Sequence, residues 1–515
     1  MKMKRYKLLF IALLIGNLLS NDIINNPYLA SRIRLFEEWI NTQMDYLSIN
    51  GVSVGIIHNQ ELVYSKGFGY ANEEKQIKAD ENTNYRIASI TKLFTSIALM
   101  KLVEEGAIKL NDPVTKYIPE LNNIQTNGHD VDKITLTSIM RHTTGLPGNV
   151  YYMWDTANVG GQISTNEALI LLSKQSLVYK PNRIYKYSNL AMTIAGKIIE
   201  RASGIKYEDY IKENIFLPLG MLNSHTIDTI GENSNLAVGY GKIIDGKRNQ
   251  HEWVKQSNAW GNSAGGITSN IGDLSKFIKW HFLKLNDRNN SIIEYNSLKK
   301  MQKVHWMGIG FKIHPIFMSP ITFLSNIFNI GGGFGLGYNN DFNFVGHNGH
   351  TFGFTSELLM DNKNKIGIIV LSNSHDAPVY SFSDRSISKN LYEIVGRGLI
   401  KPNEDSHLIW AEYENAYSDN FFYNIYVTEL NGKLDGIAMR VPVPDGSVVD
   451  LNVRLKQDVT TDMINDAVLA ASKQESMSNV LEYSTLPVVS TDIIGNQHSS
   501  IFDAPFTRVI DNTFV

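Results

Sequence analysis

The sequence has no cysteine in 515 residues. That excludes disulfides, thiolate metal ligands, thiol nucleophiles and cysteine-linked lipid anchors together. It also lacks an excess of positive charge: 48 Lys and Arg stand against 51 Asp and Glu, a formal net charge of −3. Such a balance argues against nucleic-acid binding driven by a basic face. Long apolar runs are missing too. The run over residues 8–19 is broken at Gly16 and Asn17 and is shorter than the roughly 20 residues of a comfortable membrane span. Lys2, Lys4, Arg5 and Lys7 precede it, so residues 1–20 read as an export segment. No small-x-small cleavage site follows, and a cleaved signal or an uncleaved membrane anchor both fit. The expected location is periplasmic or extracellular. No Gly-x-Gly-x-x-Gly fingerprint occurs, and residues 241–248 imitate a P-loop without its Ser/Thr. What is present is globular composition, 43% hydrophobic and 19% charged, in a chain long enough for about two to four domains.

Leu35, Trp39, Ile40, Met44 and Leu47 recur at helical spacing and predict an amphipathic helix over residues 26–47. Residues 52–57 read as a strand, Asn59-Gln60 as a tight turn, and 62–70 as the hairpin partner. Helical pattern returns over 89–105, stopping at Gly106, and over 189–202, stopping at Ser203-Gly204. Residues 353–360 and 366–372 read as strands joined by a turn at 361–364, and 383–395 as a closing helix. A sheet of the first and last strands, covered by the first and last helices, accounts for this order, with a mostly helical insertion between. Residues 401–426 lose any clear period and read as a linker. Beyond it, 448–455 carry a strand signal and 463–473 a helix signal.

Ser89 and Lys92 are three apart, so on a helix the amine reaches the hydroxyl. A serine at a helix start also sits among unpaired N–H groups and the positive end of the dipole. An activated hydroxyl needs both a base and donors for the oxyanion formed after attack. The spacing alone discriminates little, because it recurs at Ser203/Lys206, Ser297/Lys300 and Ser386/Lys389. About a hundred residues later, Tyr187-Ser188-Asn189 brings a phenol and an amide, a pattern repeated at Tyr70-Ala71-Asn72 and Tyr413-Glu414-Asn415. A third piece, His347-Asn348-Gly349-His350, stands directly before the penultimate predicted strand. Gly349 is expected to let a substrate approach the backbone, with one N–H as an oxyanion donor. The histidines show no metal-ligand spacing, and His142 and His225 stand alone. Tyr151, Tyr152, Trp154 and Trp260 are candidates for lining a cleft.

Taken in order, Ser89-Ile90-Thr91-Lys92, Tyr187-Ser188-Asn189 and His347-Asn348-Gly349 resemble the motifs of the serine penicillin-recognising hydrolases, in their class C β-lactamase-like branch. His142-Thr143-Thr144-Gly145-Leu146-Pro147 and Ser263-Ala264-Gly265-Gly266-Ile267 add to the likeness, which covers about residues 30–398. The resemblance implies an α+β hydrolase domain over 27–400: a β-lactamase/transpeptidase-like antiparallel sheet flanked by helices, beside a helical subdomain. It implies Ser89 as nucleophile forming an acyl-enzyme, with Lys92 and Tyr187 sharing proton transfer. Asn189 would bind the substrate amide and orient Lys92, and the N–H groups of Ser89 and His350 would form the oxyanion hole. No metal or cofactor is implied, and the partner is a small ester or peptide substrate. His347 stands where β-lactamases of this branch carry a fixed cation. An ordinary imidazole, with a pKa near 6.5, is largely neutral at pH 7. Carboxylate binding should then be weak, strengthening as pH falls through that value. An esterase or D-amino-acid-specific peptidase is favoured over a β-lactamase. A non-catalytic binding protein on the same fold is disfavoured, because a pure binder needs none of Ser89, Lys92 and Tyr187.

Residues 427–515 resemble something else: the catalytic domain of glyceraldehyde-3-phosphate dehydrogenase, through 429–442, Ser447-Val448-Val449-Asp450-Leu451 and 498–504. Arg440 matches an anion-binding arginine of that family. The nucleophile there is a cysteine, which this chain lacks. A truncated α+β dehydrogenase-like fragment without oxidoreductase activity is expected.

Overall fold

The computed structural model describes residues 27–149, 165–226, 235–244, 247–250, 261–283, 292–303, 306–307, 333–334, 339–340, 344–380, 386–400, 425–427, 434–439, 448–453, 458–474, 481–485, 500–507 and 509. The export segment, most of the linker, Tyr151, Tyr152, Trp154, Trp260 and Arg440 lie outside these. The chain divides into two compact units, 1–400 and 401–515.

In the first unit, helix α1 (Pro27–Leu47) leads into the hairpin of β1 (Gly51–His58) and β2 (Glu61–Asn72). Its turn uses Asn59 at φ +56°, a left-handed conformation that asparagine tolerates better than most residues. Helices α2 (Thr91–Glu104), α3 (Asn189–Ser203) and α4 (Ile271–Phe282) follow. The chain then returns through β3 (Val345–Thr351), β4 (Phe354–Asp361), β5 (Ile366–Ser372) and α5 (Ile387–Leu391). Among the described residues the main sheet has nine antiparallel strands, with β2, β1, β5, β4 and β3 adjacent in that order. First and last strands thus pair at the centre, Val54 opposite Val370.

Both faces of these central strands are covered, which is why β1 and β5 read as near-continuous apolar runs. Val52, Val54 and Ile56 of β1, with Ile366, Ile368 and Val370 of β5, pack with Phe36, Ile40 and Met44 of α1 and Ile387 and Leu391 of α5. Ile57, Ile369 and Leu371 belong to the other core, with Ile271, Leu274 and Ile278 of α4. Glycines on that second face admit α4 closely: a Cβ on Gly55 would meet the Ile271 side chain at 2.5 Å, and one on Gly367 would meet Ile278 at 2.5 Å.

One expectation is corrected. The closing helix is not uniform: α5 passes into a π-turn over Tyr392–Gly396 and then a helical turn, Arg397–Ile400. Buried Arg32 of α1 donates to the carbonyls of Glu393 and Ile394 within that turn. The third motif, standing directly before the penultimate strand as its place in the sequence indicates, is itself a strand. It lies inside β3, where His347 pairs with Leu358 and Gly349 with Ser356. No helix of the described residues is long and apolar enough to cross a membrane.

The second unit has an antiparallel sheet of Ile425–Val427, Leu434–Met439 and Val448–Val453. Helix Thr461–Ser472 and a parallel strand pair, Leu481–Ser484 with Ser500–Asp503, follow.

Candidate active site

Helix α2 is buried from Thr91 to Met100, so it has no solvent face on which a lysine of its first turn can lie. Lys92 is accordingly only 1% exposed. Just before it, the short 3-10 turn Ala88–Ile90 carries Ser89, which is partly exposed between buried neighbours. Ala88 is held at φ +46°, a left-handed conformation that costs a non-glycine residue about 1 kcal/mol or more. Strained backbone of this kind clusters at functional sites.

Lys92 Nζ lies 2.9 Å from Ser89 Oγ and 2.5 Å from the carbonyl of Ala264, to which it donates. The Tyr187 hydroxyl donates to Ser89 Oγ at 2.8 Å, and Lys92 Nζ stands 4.9 Å from the Tyr187 ring centre. Two groups, Lys92 and, from 98 residues away, Tyr187, therefore converge on the Ser89 oxygen. Burial drives the Lys92 amine well below the ordinary lysine value. It drives the Tyr187 phenol upward, opposed by the bond to Ser89. The competing Ser-x-x-Lys pairs have other uses: Ser203 donates to the Ile199 carbonyl, and Ser386 caps α5 by accepting from the Lys389 N–H.

Asn189 opens α3, with Ser188 as its N-cap. Its side chain donates to Asn149 Oδ1 at 2.9 Å, not to Lys92, so the orientation of Lys92 falls to Ser89 and Ala264 instead. His347 is 4% exposed, its Nδ1 donating to the Asn348 carbonyl at 2.5 Å, with its ring 6.3 Å from that of Tyr187. Burial first, and nearby Lys92 second, push its pKa down to about 3, against a raising contribution from the Asn348 carbonyl. The expected protonation near pH 6.5 is therefore overturned. His350 is exposed, and its Nε2 donates to the His375 carbonyl at 2.9 Å.

Gly349 has a different reason for being glycine than substrate approach. A Cβ there would meet the Ile87 carbonyl at 2.2 Å and Ser356 Oγ at 2.3 Å. The strand is pressed against the turn that carries Ser89, and Ser356 Oγ donates to that same Ile87 carbonyl at 2.9 Å. Gly349→Ala should therefore lower stability by about 1–3 kcal/mol and remove most turnover. Gly261→Ala, with nothing within 4 Å of its Cβ, is the control. Thermal denaturation and an ester assay on both variants check this, and equal behaviour would show that the strand tolerates the methyl group.

Sequence reasoning missed the surroundings of Tyr187. Buried His142 lies against it with ring centres 4.5 Å apart, and Tyr380 donates to the Gly349 carbonyl at 3.2 Å. Neither belongs to a spacing pattern that marks it. The His142-Thr143-Thr144-Gly145 stretch was the one available signal, and it pointed only to family likeness.

The Beta-lactamase family model matches residues 36–388. The chain belongs to the Beta-lactamase family. A second model, the C-terminal domain of glyceraldehyde 3-phosphate dehydrogenase, matches residues 424–515. Among curated relatives in the family, Protein flp of Staphylococcus aureus strain N315 is 28% identical over 325 residues, 63% of this chain and 60% of that protein. The chain thus spans about 60% of the length of such relatives. The octameric penicillin-binding protein homologue from Pyrococcus abyssi is 26% identical, with TM-score 0.56 over 83% of this chain and 92% of its own. The D-amino acid amidase from Ochrobactrum anthropi SV3 shares the fold at 21% identity and TM-score 0.57, over 73% of this chain and 99% of its own. The family and its structural neighbours are serine hydrolases, and the antiparallel sheet flanked by helices is their fold.

Proposed function

We propose that the chain hydrolyses uncharged or weakly charged esters and D-amino-acid amides or peptides through an acyl-enzyme on Ser89. The observation that carries this is Ser89 Oγ, held at 2.9 Å by Lys92 Nζ and at 2.8 Å by Tyr187. Burial favours the neutral form of both partners. A neutral amine has a lone pair for the Ser89 proton, whereas a phenol pushed upward remains a donor. Lys92 is thus the base for attack, and Tyr187 the acid for the leaving group, its proton replaced by the one Lys92 took from Ser89. After attack the N–H groups of Ser89 and His350 receive the carbonyl oxygen. Asn189 and Asn149, joined side chain to side chain, offer amide groups for a substrate's own amide. The basic, apolar N-terminal segment supports an exported enzyme.

Specificity rests on His347. An imidazole with its pKa pushed down to about 3 supplies no cation between pH 5 and 8. For a histidine lowered in this way, the charged form gains ground only below that value, so carboxylate affinity is flat across the neutral range. Short-chain nitrophenyl esters should turn over faster than carboxylate-bearing cephalosporins. The cephalosporin KM should stay within about twofold from pH 8 to 5, because His347 gains no charge there. Steady-state kinetics over that interval test this. A cephalosporin KM falling tenfold towards pH 5 would show His347 charging and return the chain to the β-lactamases.

A further inference from the structure

We propose that His142 is a positioning residue for Tyr187, a neutral imidazole clamp that holds the phenol on Ser89. The clamp grips the tyrosine from three directions. Its backbone carbonyl accepts the N–H of Lys186, the residue before Tyr187, at 2.7 Å. Its Nδ1 accepts the N–H of Ser188, the residue after, at 3.2 Å. Its ring lies against the Tyr187 ring, centres 4.5 Å apart and planes tilted by 35°. The peptide units on both sides of the tyrosine and the ring itself therefore share one anchor.

The anchor is itself fixed. His142 is 5% exposed, and its backbone stands at φ +54°. Most side chains avoid that conformation, while histidine and asparagine are enriched in it. Accepting from the Ser188 N–H requires a lone pair on Nδ1, which places the ring proton on Nε2. A doubly protonated ring would lose that bond. Burial, Lys92 and His347 all act against such a ring, in that order. Ser188 completes the frame: its hydroxyl donates to the Pro147 carbonyl at 2.7 Å and accepts the Ala191 N–H at 3.0 Å, tying the segment to the start of α3. The phenol that must sit 2.8 Å from Ser89 is on an extended stretch just before that helix, and His142 is what restrains it there.

Resting on the acyl-enzyme reading above, the role predicts a loss routed through Tyr187 and no other group. His142→Ala removes the ring and the Nδ1 acceptor. His142→Asn keeps an acceptor, its Oδ1, close to the Nδ1 position and tolerates the positive φ. Both variants are compared in the wild-type chain and in a Tyr187→Phe chain, with thermal melts to establish folding. The readouts are ester kcat and KM and the rate of Ser89 labelling by a fluorophosphonate. His142→Ala should lower kcat and labelling rate about 10- to 100-fold, the cost of a small misplacement, with KM within about twofold. His142→Asn should recover most of that loss. In the Tyr187→Phe chain, His142→Ala should add less than about a twofold loss, because the positioned hydroxyl is already gone. A full further loss in that background overturns the proposal, as does a folded His142→Asn chain no better than His142→Ala. A loss carried by KM overturns it as well. A wild-type chain that takes no fluorophosphonate label overturns the acyl-enzyme reading itself, and the positioning role with it.

Discussion

Ser89→Ala should abolish fluorophosphonate labelling and lower ester turnover on the order of 10⁴- to 10⁶-fold, as loss of a nucleophile does elsewhere. The expectation follows from what converges on one oxygen. Lys92 Nζ at 2.9 Å and Tyr187 at 2.8 Å leave no other hydroxyl with both a buried amine and a phenol beside it among the described residues. The buried hydroxyl of Thr95, three residues on from Lys92 in α2, is committed to the Ser263 carbonyl at 2.7 Å and to Tyr207 at 2.8 Å. The substitution itself is mild: a partly exposed oxygen is removed from a three-residue turn whose neighbours Ala88 and Ile90 keep their packing. Stability should change little, so loss of activity will not be loss of fold. Mass spectrometry of the labelled protein locates the adduct. Label persisting at unchanged stoichiometry in Ser89→Ala would move the nucleophile elsewhere, and with it the whole site.

The convergence was legible in the sequence because its three parts come in a distinctive order, although each alone is common. Ser203/Lys206 and Tyr70-Ala71-Asn72 satisfy the same local patterns, and only the third motif at 347–349 raised the set above them. The hairpin, α3 with its Gly204 stop at φ +74°, and strands β4 and β5 follow local rules of turn chemistry and alternation. Failures occurred where a tertiary contact overrides the local pattern. Residues 345–351 hold two glycines and two histidines, a composition that reads as loop. The glycines are there because neighbouring backbone comes close: a Cβ on Gly346 would meet the Leu358 carbonyl at 1.9 Å. A strand whose small residues answer to the elements on either side of it has no pattern of its own to detect. His347 shows the same limit in its chemistry. Its identity suggested a titration near neutrality, but its burial beside Lys92 sets the charge, and burial is a property of the fold. His142 was given no role at the site for the matching reason, since its partners are 44 to 46 residues away in sequence.

Lys92→Met should remove turnover while raising the melting temperature. Methionine resembles lysine in length and lacks the amine, so it loses the base and about 10²- to 10⁴-fold in rate. Its effect on stability follows from where the amine sits. Helix α2 is buried around its whole circumference, and Lys92 is 1% exposed with no carboxylate bonded to it among the described residues. Holding an ordinary lysine neutral at pH 7 costs about 4–5 kcal/mol relative to water. Holding it charged in the interior costs a comparable amount. The bonds to Ser89 and to the Ala264 carbonyl return part of that, each about 1 kcal/mol. The remainder is a destabilisation that methionine relieves, partly offset by leaving the Ala264 carbonyl without its donor. A net gain of about 1–3 kcal/mol is expected, a melting temperature higher by a few degrees for a domain this large. The pH dependence has a definite sign. Burial lowers the folded-state pKa of Lys92 below its unfolded value, so between those two values the unfolded chain binds more protons, and stability rises with pH. Lys92→Met lacks that contribution, so its advantage over wild type should be largest at neutral pH and shrink as pH approaches the unfolded lysine value. Calorimetric melts at pH 7 and 9.5 measure both the gain and its trend. A variant that melts below wild type at both pH values would mean that the amine's hydrogen bonds outweigh its desolvation, and a stably charged Lys92 could not then accept the Ser89 proton.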